Sequence, residues 1–420
     1  MKTEYLEEFL DDATVGFVGS MSKLFKSEGI PLLRGKNIKP YAIDCSDLKF
    51  IDSDTHLKWK KSSLAPGDVV LVRVGIPGTC CVIPENIGDI NAASLVILKP
   101  NTDKLDPYYL SAYLNSLHGR KQIESLNVGS VQSVLNVNIA KKIKIPNHSL
   151  EEQKKISRIL NILNSKIELN QKMNETLEEI ANTLFKSWFI DFDSVRAKAE
   201  GRPTGLSREI SDLFPDSFED SELGEIPSGW RVGCLQNIIE CFDSKRIPLS
   251  KKSRQERVGI YPYYGATSVI DYVDDYLFDD ELVLIGEDGS VERDDGTPFV
   301  QFINEKCWVN NHAHVLKAKD QFSNFYIYIF LNQVKIGPYV TGAVQKKINQ
   351  TNLFSIPVII PDEKILKAFN SITDPLKDKI FLNSKESDVL SSIRDTLLPK
   401  LISGEVKISD AENFIHGAGV

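Results

Sequence analysis

Gly129-Ser130-Val131-Gln132 returns as Gly342-Ala343-Val344-Gln345, 213 residues further along, and this recurrence decides the fold. At the same spacing Asn170 meets Asn383, Leu177 meets Leu390, Ile180 meets Ile393, and Thr183-Leu184 meets Thr396-Leu397. The matched stretches are the end of a globular segment and a long helix. The chain therefore holds two copies of a globular unit followed by a helix, and a fixed long-range period of this kind is a fold-level signal. Two copies are too few for a solenoid. They predict a pseudo-twofold object with two similar surfaces.

The helical part of each copy is legible from its spacing. Ile156, Leu160, Leu163, Ile167, Leu177, Ala181, Leu184 and Trp188 fall at alternating steps of four and three, with Asn170 and Asn174 in the two remaining seam positions. That is a heptad seam. Ser149 before Glu151 and Glu152 is a candidate N-cap with acids in the first turn. About 40 residues at ~1.5 Å each make a rod of roughly 60 Å. The second rod runs from Asp362 to about Leu401, with a seam of Ile365, Phe369, Ile372, Leu376, Lys379, Asn383, Glu386, Leu390, Ile393 and Leu397. Neither helix can hide its stripe alone, so the two are expected to pair with each other, antiparallel as the repeat requires. The rod midpoints lie near Asn170 and Asn383. The expected register places these two opposite each other, Leu163 near Leu390 and Leu177 near Leu376. A buried asparagine pair costs stability and fixes register; the alternative is two solvated gaps.

The fold class is mixed α/β (α+β): two similar globular domains separated by two long antiparallel coiled-coil helices. Residues 1–150 form the first globular domain, with strands at Val69–Val72 and Ser94–Leu98, a turn at Pro66-Gly67-Asp68, and a short helix from Pro107 to Leu117. Residues 151–195 form the first spacer helix. Residues 196–229, acidic and broken by glycine and proline, read as a linker. Residues 230–361 repeat the order of parts, with strands at Leu282–Ile285 and His314–Leu316, a helix from Phe325 to Leu331, the Gly342 loop and Ile356–Pro361. Residues 362–420 form the second spacer helix and a tail. Two heads on a spacer measure distance, and one DNA turn is roughly 34–36 Å.

Bulk properties narrow the class. The 420 residues allow two or three domains. No apolar run approaches the roughly 20 residues that cross a bilayer, and the N-terminus carries no signal-peptide pattern. The six cysteines are scattered with no C-x-x-C, which argues for reduced thiols, against a zinc site and for the cytoplasm. The net charge of −8 argues weakly against nucleic acid. The charge is uneven, however. Lys245, Arg246, Lys251, Lys252, Arg254 and Arg257 cluster together, whereas residues 271–295 hold eleven acids against Arg293.

Chemical motifs are sparse. Asp106-Pro107-Tyr108-Tyr109 has the look of an amino-methyltransferase motif but lacks its second proline, and reads as the start of a helix. Pro361-Asp362-Glu363-Lys364 reads as the start of the second rod rather than a nuclease site. There is no phosphate loop of the G-x-x-x-x-G-K-[ST] kind. His312 and His314 flank Ala313 on an expected strand and share a face, without enough further ligands for a metal.

The stretch Leu184-Phe185-Lys186-Ser187-Trp188-Phe189-Ile190-Asp191-Phe192-Asp193 resembles the central conserved region of type I restriction-modification specificity subunits. So do Leu213-Phe214-Pro215-Asp216-Ser217-Phe218, Glu222-Leu223-Gly224-Glu225-Ile226-Pro227-Ser228-Gly229-Trp230, and the closing Leu397-Leu398-Pro399-Lys400-Leu401-Ile402-Ser403-Gly404-Glu405. Ile30-Pro31-Leu32-Leu33-Arg34-Gly35-Lys36-Asn37-Ile38 and the stretch from Pro146 through Glu152-Gln153 are similar to it too. The second copy departs from this pattern, with Glu363-Lys364-Ile365-Leu366 where the first has the Glu-Gln pair. The resemblance implies that each globular domain is a target-recognition domain reading one half of a bipartite, asymmetric site on double-stranded DNA. It implies helices that set the gap and dock two modification subunits. It also implies that S-adenosylmethionine, ATP and Mg work in the modification and restriction subunits, so that this chain is itself no enzyme and needs no cofactor or metal.

The candidate DNA contacts follow. The glycine loops offer Ser130, Gln132, Gln345, Lys346 and Lys347. Glutamine can bind adenine bidentately, and lysine can reach guanine or phosphate. The alternative is a structural turn repeated because the fold repeats. Arg34, Lys36, Asn37, Arg73, Lys245, Arg246, Lys251, Lys252 and Arg254 are further candidates, and Tyr263 and Tyr264 either fill the core or stack near DNA. A rival reading keeps the architecture and makes the chain a protein–protein scaffold with no DNA role.

Overall fold

Both long helices form where the heptads place them, at Leu150–Phe189 and Glu363–Ser403 in a computed structural model. The structure describes residues 2–126, 134–342 and 345–417. Ser149 caps the first helix: its hydroxyl accepts from the Glu152 amide at 3.3 Å, while the Glu152 carboxylate accepts from the Ser149 amide at 2.9 Å, a reciprocal capping box. The chain divides into two compact units, one of Met1–Asn170 with Lys385–Val420, the other of Gln171–Ser384, so each helix contributes half its length to each unit.

In the first unit Ile156, Ile159, Leu160 and Leu163 share a core with Leu390, Leu398 and Leu401. Asn164 accepts from Arg394 at 3.0 Å and Lys166 pairs with Glu386 at 3.5 Å. In the second unit Ala181, Phe185, Trp188 and Phe189 share a core with Ile365, Leu366 and Phe369. The start of each helix therefore packs on the end of the other within each unit, which is the antiparallel arrangement. The seam of the second helix differs from the expected one at its a positions. Lys379 is exposed, and the buried stripe passes through Leu366, Thr373 and the half-buried Ile380 instead. Ile365 and Leu366 are both fully buried at the helix start, and the repeat is in phase with Leu366.

The asparagines of the seam are not solvated gaps. Asn170 is 2% exposed and donates to Glu386 at 2.7 Å; Asn383 is 1% exposed and donates to the Asn174 carbonyl oxygen at 2.8 Å.

The duplication is plain in the sheets. In the first unit β1 (Thr3–Tyr5), β2 (Leu10–Val15), β3 (Ile30–Leu33), β4 (Lys49–Ile51), β5 (Val69–Val72), β6 (Cys80–Val82), β7 (Asn91–Ala92), β8 (Leu95–Pro100) and β9 (Lys144–Pro146) build a four-stranded sheet of order β2-β8-β5-β6. A three-stranded sheet β4-β3-β7 and a β1-β9 ladder complete it. In the second unit the strands are β10 (Arg231–Cys234), β11 (Ile239–Cys241), β12 (Val258–Tyr264), β13 (Val269–Val273), β14 (Phe278–Gly286), β15 (Val300–Val309), β16 (Ala313–Ala318) and β17 (Pro357–Ile360). They give the order β11-β16-β14-β15-β12-β13, with a β10-β17 ladder. β3 pairs in parallel with β7 and β12 in parallel with β15, so even the irregular pairing is repeated.

One difference from the sequence reading, and one irregularity of the repeat, have physical causes. The stretch 196–229, read as a linker, carries a helix at Arg208–Ser211 and a hairpin of Phe218–Ser221 on Gly224–Pro227, and it buries Phe214 and Ile226 beside Trp188 and Trp230. The glycines and prolines shape turns around an anchored aromatic cluster. The Glu-Gln pair missing from the second copy is explained as well. Gln153 is 1% exposed; it accepts from the Asp106 amide at 2.9 Å and donates to the carbonyls of Lys104 and His148, whereas Leu366 of the second helix fills its own core with apolar surface.

Candidate nucleic-acid interface

Each glycine loop ends on the same anchor. In the second unit Ile348 donates its amide to the Glu287 carbonyl, just past β14, at 2.9 Å; in the first, Leu135 donates to the Arg73 carbonyl, just past β5, at 3.0 Å. The next residue caps a short helix in both: Asn136 accepts from the Ile139 amide and Asn349 from the Asn352 amide. These caps satisfy N-terminal donors that would otherwise be orphaned.

The second loop is shaped by Gly342, whose φ is +89°; a Cβ there would lie 2.1 Å from the Gln345 carbonyl oxygen. Thr341 and Lys347 exchange two backbone bonds of 2.8 Å, and Gly289 donates to the Lys346 carbonyl at 3.1 Å. Gln345, Lys346 and Lys347 are exposed. Lys346 pairs with Glu292 at 2.6 Å and Lys347 with Glu287 at 3.0 Å. Ser130 and Gln132 lie outside the described residues.

Beneath this loop is a buried charge network. His314, 1% exposed on β16, sets Nδ1 2.6 Å from Asp243 and Nε2 2.8 Å from the Ile348 carbonyl oxygen. Asp243 also accepts from the Val315 amide at 2.9 Å and from Gln350 at 2.6 Å. Burial pushes the Asp243 carboxyl up, but its bonds from His314, Gln350 and Val315 outweigh that and hold it well below the usual range. Glu287 is likewise held low: burial raises it, and Arg246 and Lys347 more than offset the rise. The half-buried Cys241 thiol is pushed up to about 12 by burial. Ligand atoms of Cys241, Asp243 and His314 lie within 4.8 Å of one another. The geometry is nevertheless that of hydrogen bonding. Two donors sharing a tetrahedral ion stand about 3.3 Å apart, and Arg246 occupies the same carboxylate at 3.3 Å.

Several expected contact residues are held by the protein itself. Arg246, its side chain 12% exposed, donates to Glu287 at 2.7 Å and to the Ala313 carbonyl at 2.6 Å. Arg254 binds Asp271 and the Leu249 carbonyl and lies over the Tyr263 ring. Asn37 is 1% exposed and clasps the carbonyls of Asp44 and Asp47; Arg34 binds Asp47. Nearby carbonyls and carboxylates hold all four within the protein, although the buried Nε of Arg34 has no partner among the described residues. Arg73 donates Nε to the Leu135 carbonyl at 3.2 Å. Lys36 is exposed and pairs with Asp47. Lys245, Lys251 and Lys252 are exposed, Lys245 over the Phe242 ring. Tyr263 and Tyr264 belong to the core. His312 and His314 do not share a face: the strand begins at Ala313, and His312 stays in the preceding turn, bonded to Asp288. Lys58, Lys60 and Lys61, a basic run that the sequence reading did not single out, are exposed around Trp59, which stacks on Phe17 at 3.7 Å.

Comparison with known proteins bears directly on this arrangement. A family model described as the type I restriction modification DNA specificity domain matches residues 61–179 and again 227–391, once in each copy. The MjaIX type I restriction enzyme specificity subunit of Methanocaldococcus jannaschii is 28% identical over 319 residues, covering 72% of this chain and 67% of its own. The HindI specificity subunit of Haemophilus influenzae is 24% identical over 410 residues, covering 82% and 88%. The crystal structure of a type I restriction-modification S subunit from M. genitalium shares the fold with a TM-score of 0.53 at 16% identity, over 95% of both chains. The scaffold reading without DNA loses its footing here. With both copies matched over most of their length, the chain belongs to the family of type I restriction-modification DNA specificity subunits.

Proposed function

We propose that each globular unit reads one half of a bipartite, asymmetric site on double-stranded DNA, while the paired helices fix the gap and dock two modification subunits. The observation that carries this is the repeated loop anchor. The Leu135–Arg73 and Ile348–Glu287 backbone bonds frame the two loops alike, and Gln132 and Gln345 match, yet the neighbouring side chains differ, with Arg73, Ser133 and Val134 in the first copy and Glu287, Lys346 and Lys347 in the second. One frame with unlike readers is what an asymmetric target in two parts requires. Gln345 is suited to adenine and the lysines to guanine or phosphate. Exposed Met173, Ile180 and Leu382 in the second unit, and Leu169 and Val389 in the first, support docking on the helices. The chain acts without catalysis of its own. S-adenosylmethionine, ATP and Mg belong to the modification and restriction subunits, and the complex works in the cytoplasm. Among the described residues no helix is long and apolar enough to cross a membrane.

Mapping methylation across the host genome tests the reading. A split motif with a fixed gap, lost when the gene is deleted, is the expected result. Methylation unchanged by the deletion overturns it.

A further inference from the structure

The carbonyl that closes each glycine loop is held by a different side chain in each copy. In the first unit Arg73 donates to the Leu135 carbonyl, and in the second His314 donates to the Ile348 carbonyl. Strand register sharpens the contrast. His314 pairs with Ile285 one step before the end of the β14–β16 ladder, and the matching place in the β5–β8 ladder belongs to Val96, which is fully buried. Where the first unit has an aliphatic side chain, the second has an imidazole with oxygen on both sides.

That geometry fixes the charge. A carbonyl oxygen only accepts, so Nε2 carries a hydrogen. Asp243 accepts from Val315 and Gln350 as well and lies 3.3 Å from the Arg246 guanidinium, which identifies it as a carboxylate, so Nδ1 carries a hydrogen too. The other charged groups facing the ring are Glu287 at 3.7 Å from β14's end, Arg246 bridging both acids, and Lys347 on Glu287; Cys241 on β11 adds a protonated thiol. We propose that His314 is a positioning residue for target recognition, clamped as an imidazolium between Asp243 and the Ile348 carbonyl so that its charge fixes Gln345, Lys346 and Lys347 just ahead of that carbonyl and with them discrimination at one half-site only. This rests on the half-site reading above. The guanidinium of Arg73 keeps its charge at any working pH, whereas an imidazolium can lose it. Each of the two bonds of the clamp needs the hydrogen on its own ring nitrogen.

The test uses the full chain assembled with its modification subunits, with the six histidines labelled by ¹⁵N and the His314 signals assigned by their loss in His314→Gln. Both ring nitrogens are expected to carry hydrogen at pH 7. Binding is then measured from pH 6 to 10 on duplexes carrying the mapped motif intact, or with either half scrambled. Discrimination at the second unit's half should fall about tenfold, the scale of one hydrogen bond to a charged group, along the same titration curve as the ring, while the other half stays flat. His314→Gln should abolish that pH dependence. A neutral ring at pH 7, or discrimination that does not follow the ring, overturns the clamp; the ring signals of the unmodified chain decide this even where His314→Gln fails to fold. Binding indifferent to scrambling either half would sink the half-site reading instead, and the ring signals report on the clamp independently of it.

Discussion

Asn383 is a polar side chain sealed inside a helix pair, and its one described amide partner in the second unit is Asn174 at 2.8 Å, which in turn donates to the Ile380 carbonyl and to Ser384. Removing one member leaves buried polar groups unmatched, so Asn383→Ala should lower stability by about 1–3 kcal/mol in urea unfolding. Asn383→Ala as stable as the parent would show that the buried amide contributes nothing to the pair. Asp243 belongs to the same scale. Its folded carboxyl titrates below the unfolded value near 3.9, so its stabilisation is full above about pH 5 and is lost progressively as pH falls toward and through the folded value. Asp243→Asn should therefore be less stable than the parent at pH 7, by about 3–5 kcal/mol for breaking a buried pair, and the gap should narrow steadily on acidification below about pH 4. A gap of constant size from pH 7 to pH 2 would mean that packing, not charge, set the difference.

At the level of elements, the helix pair was legible in the sequence because its determinants are local and apolar: Leu163 and Leu390 belong to one core. The phase of the second seam was misread at Lys379 because Ile365 and Leu366 are adjacent apolar residues at the helix start, and either could open the heptad. The correction is testable by thermal unfolding. Lys379→Leu should change stability by no more than about 0.5 kcal/mol, as exposed substitutions do, whereas Ile380→Ala should cost about 1–2 kcal/mol for a half-buried aliphatic side chain. Equal effects at the two positions would restore the original phase. The site was less legible than the helices. The loops announced themselves by repetition, but the network under the second one joins Asp243, Glu287, His314 and Ile348 from four separated segments that only the β11-β16-β14 order brings together. Arg246 and Arg254 looked like free cations for a related reason, since Glu287 and Asp271, which hydrogen-bond them, lie 41 and 17 residues away, although Asp243 stands only three residues before Arg246.

At the scale of the whole molecule, the duplication makes the second globular unit exchangeable, and the β10–β17 ladder shows where. Arg231 lies opposite Ile360 in register, so the two ends of the 230–361 segment are neighbours and a replacement closes without lengthening the path. The first unit repeats this closure with Thr3 opposite Pro146. Trp230 should stay, because it is 4% exposed and stacks edge-on against Phe192, which the exchange leaves in place. Replacing the rest with the corresponding segment of a relative of different specificity should give a chain that directs methylation to a new split motif. One half should change, the other half and the gap should not, since the first unit and both helices are untouched. The readout is methylation mapping in cells carrying the exchanged gene and its unaltered partner genes. Binding should keep a steep salt dependence, because phosphate neutralisation by lysines is independent of sequence. A motif altered in both halves would mean that the two units read DNA jointly, and a changed gap would mean that spacing is set by the globular units rather than by the helices.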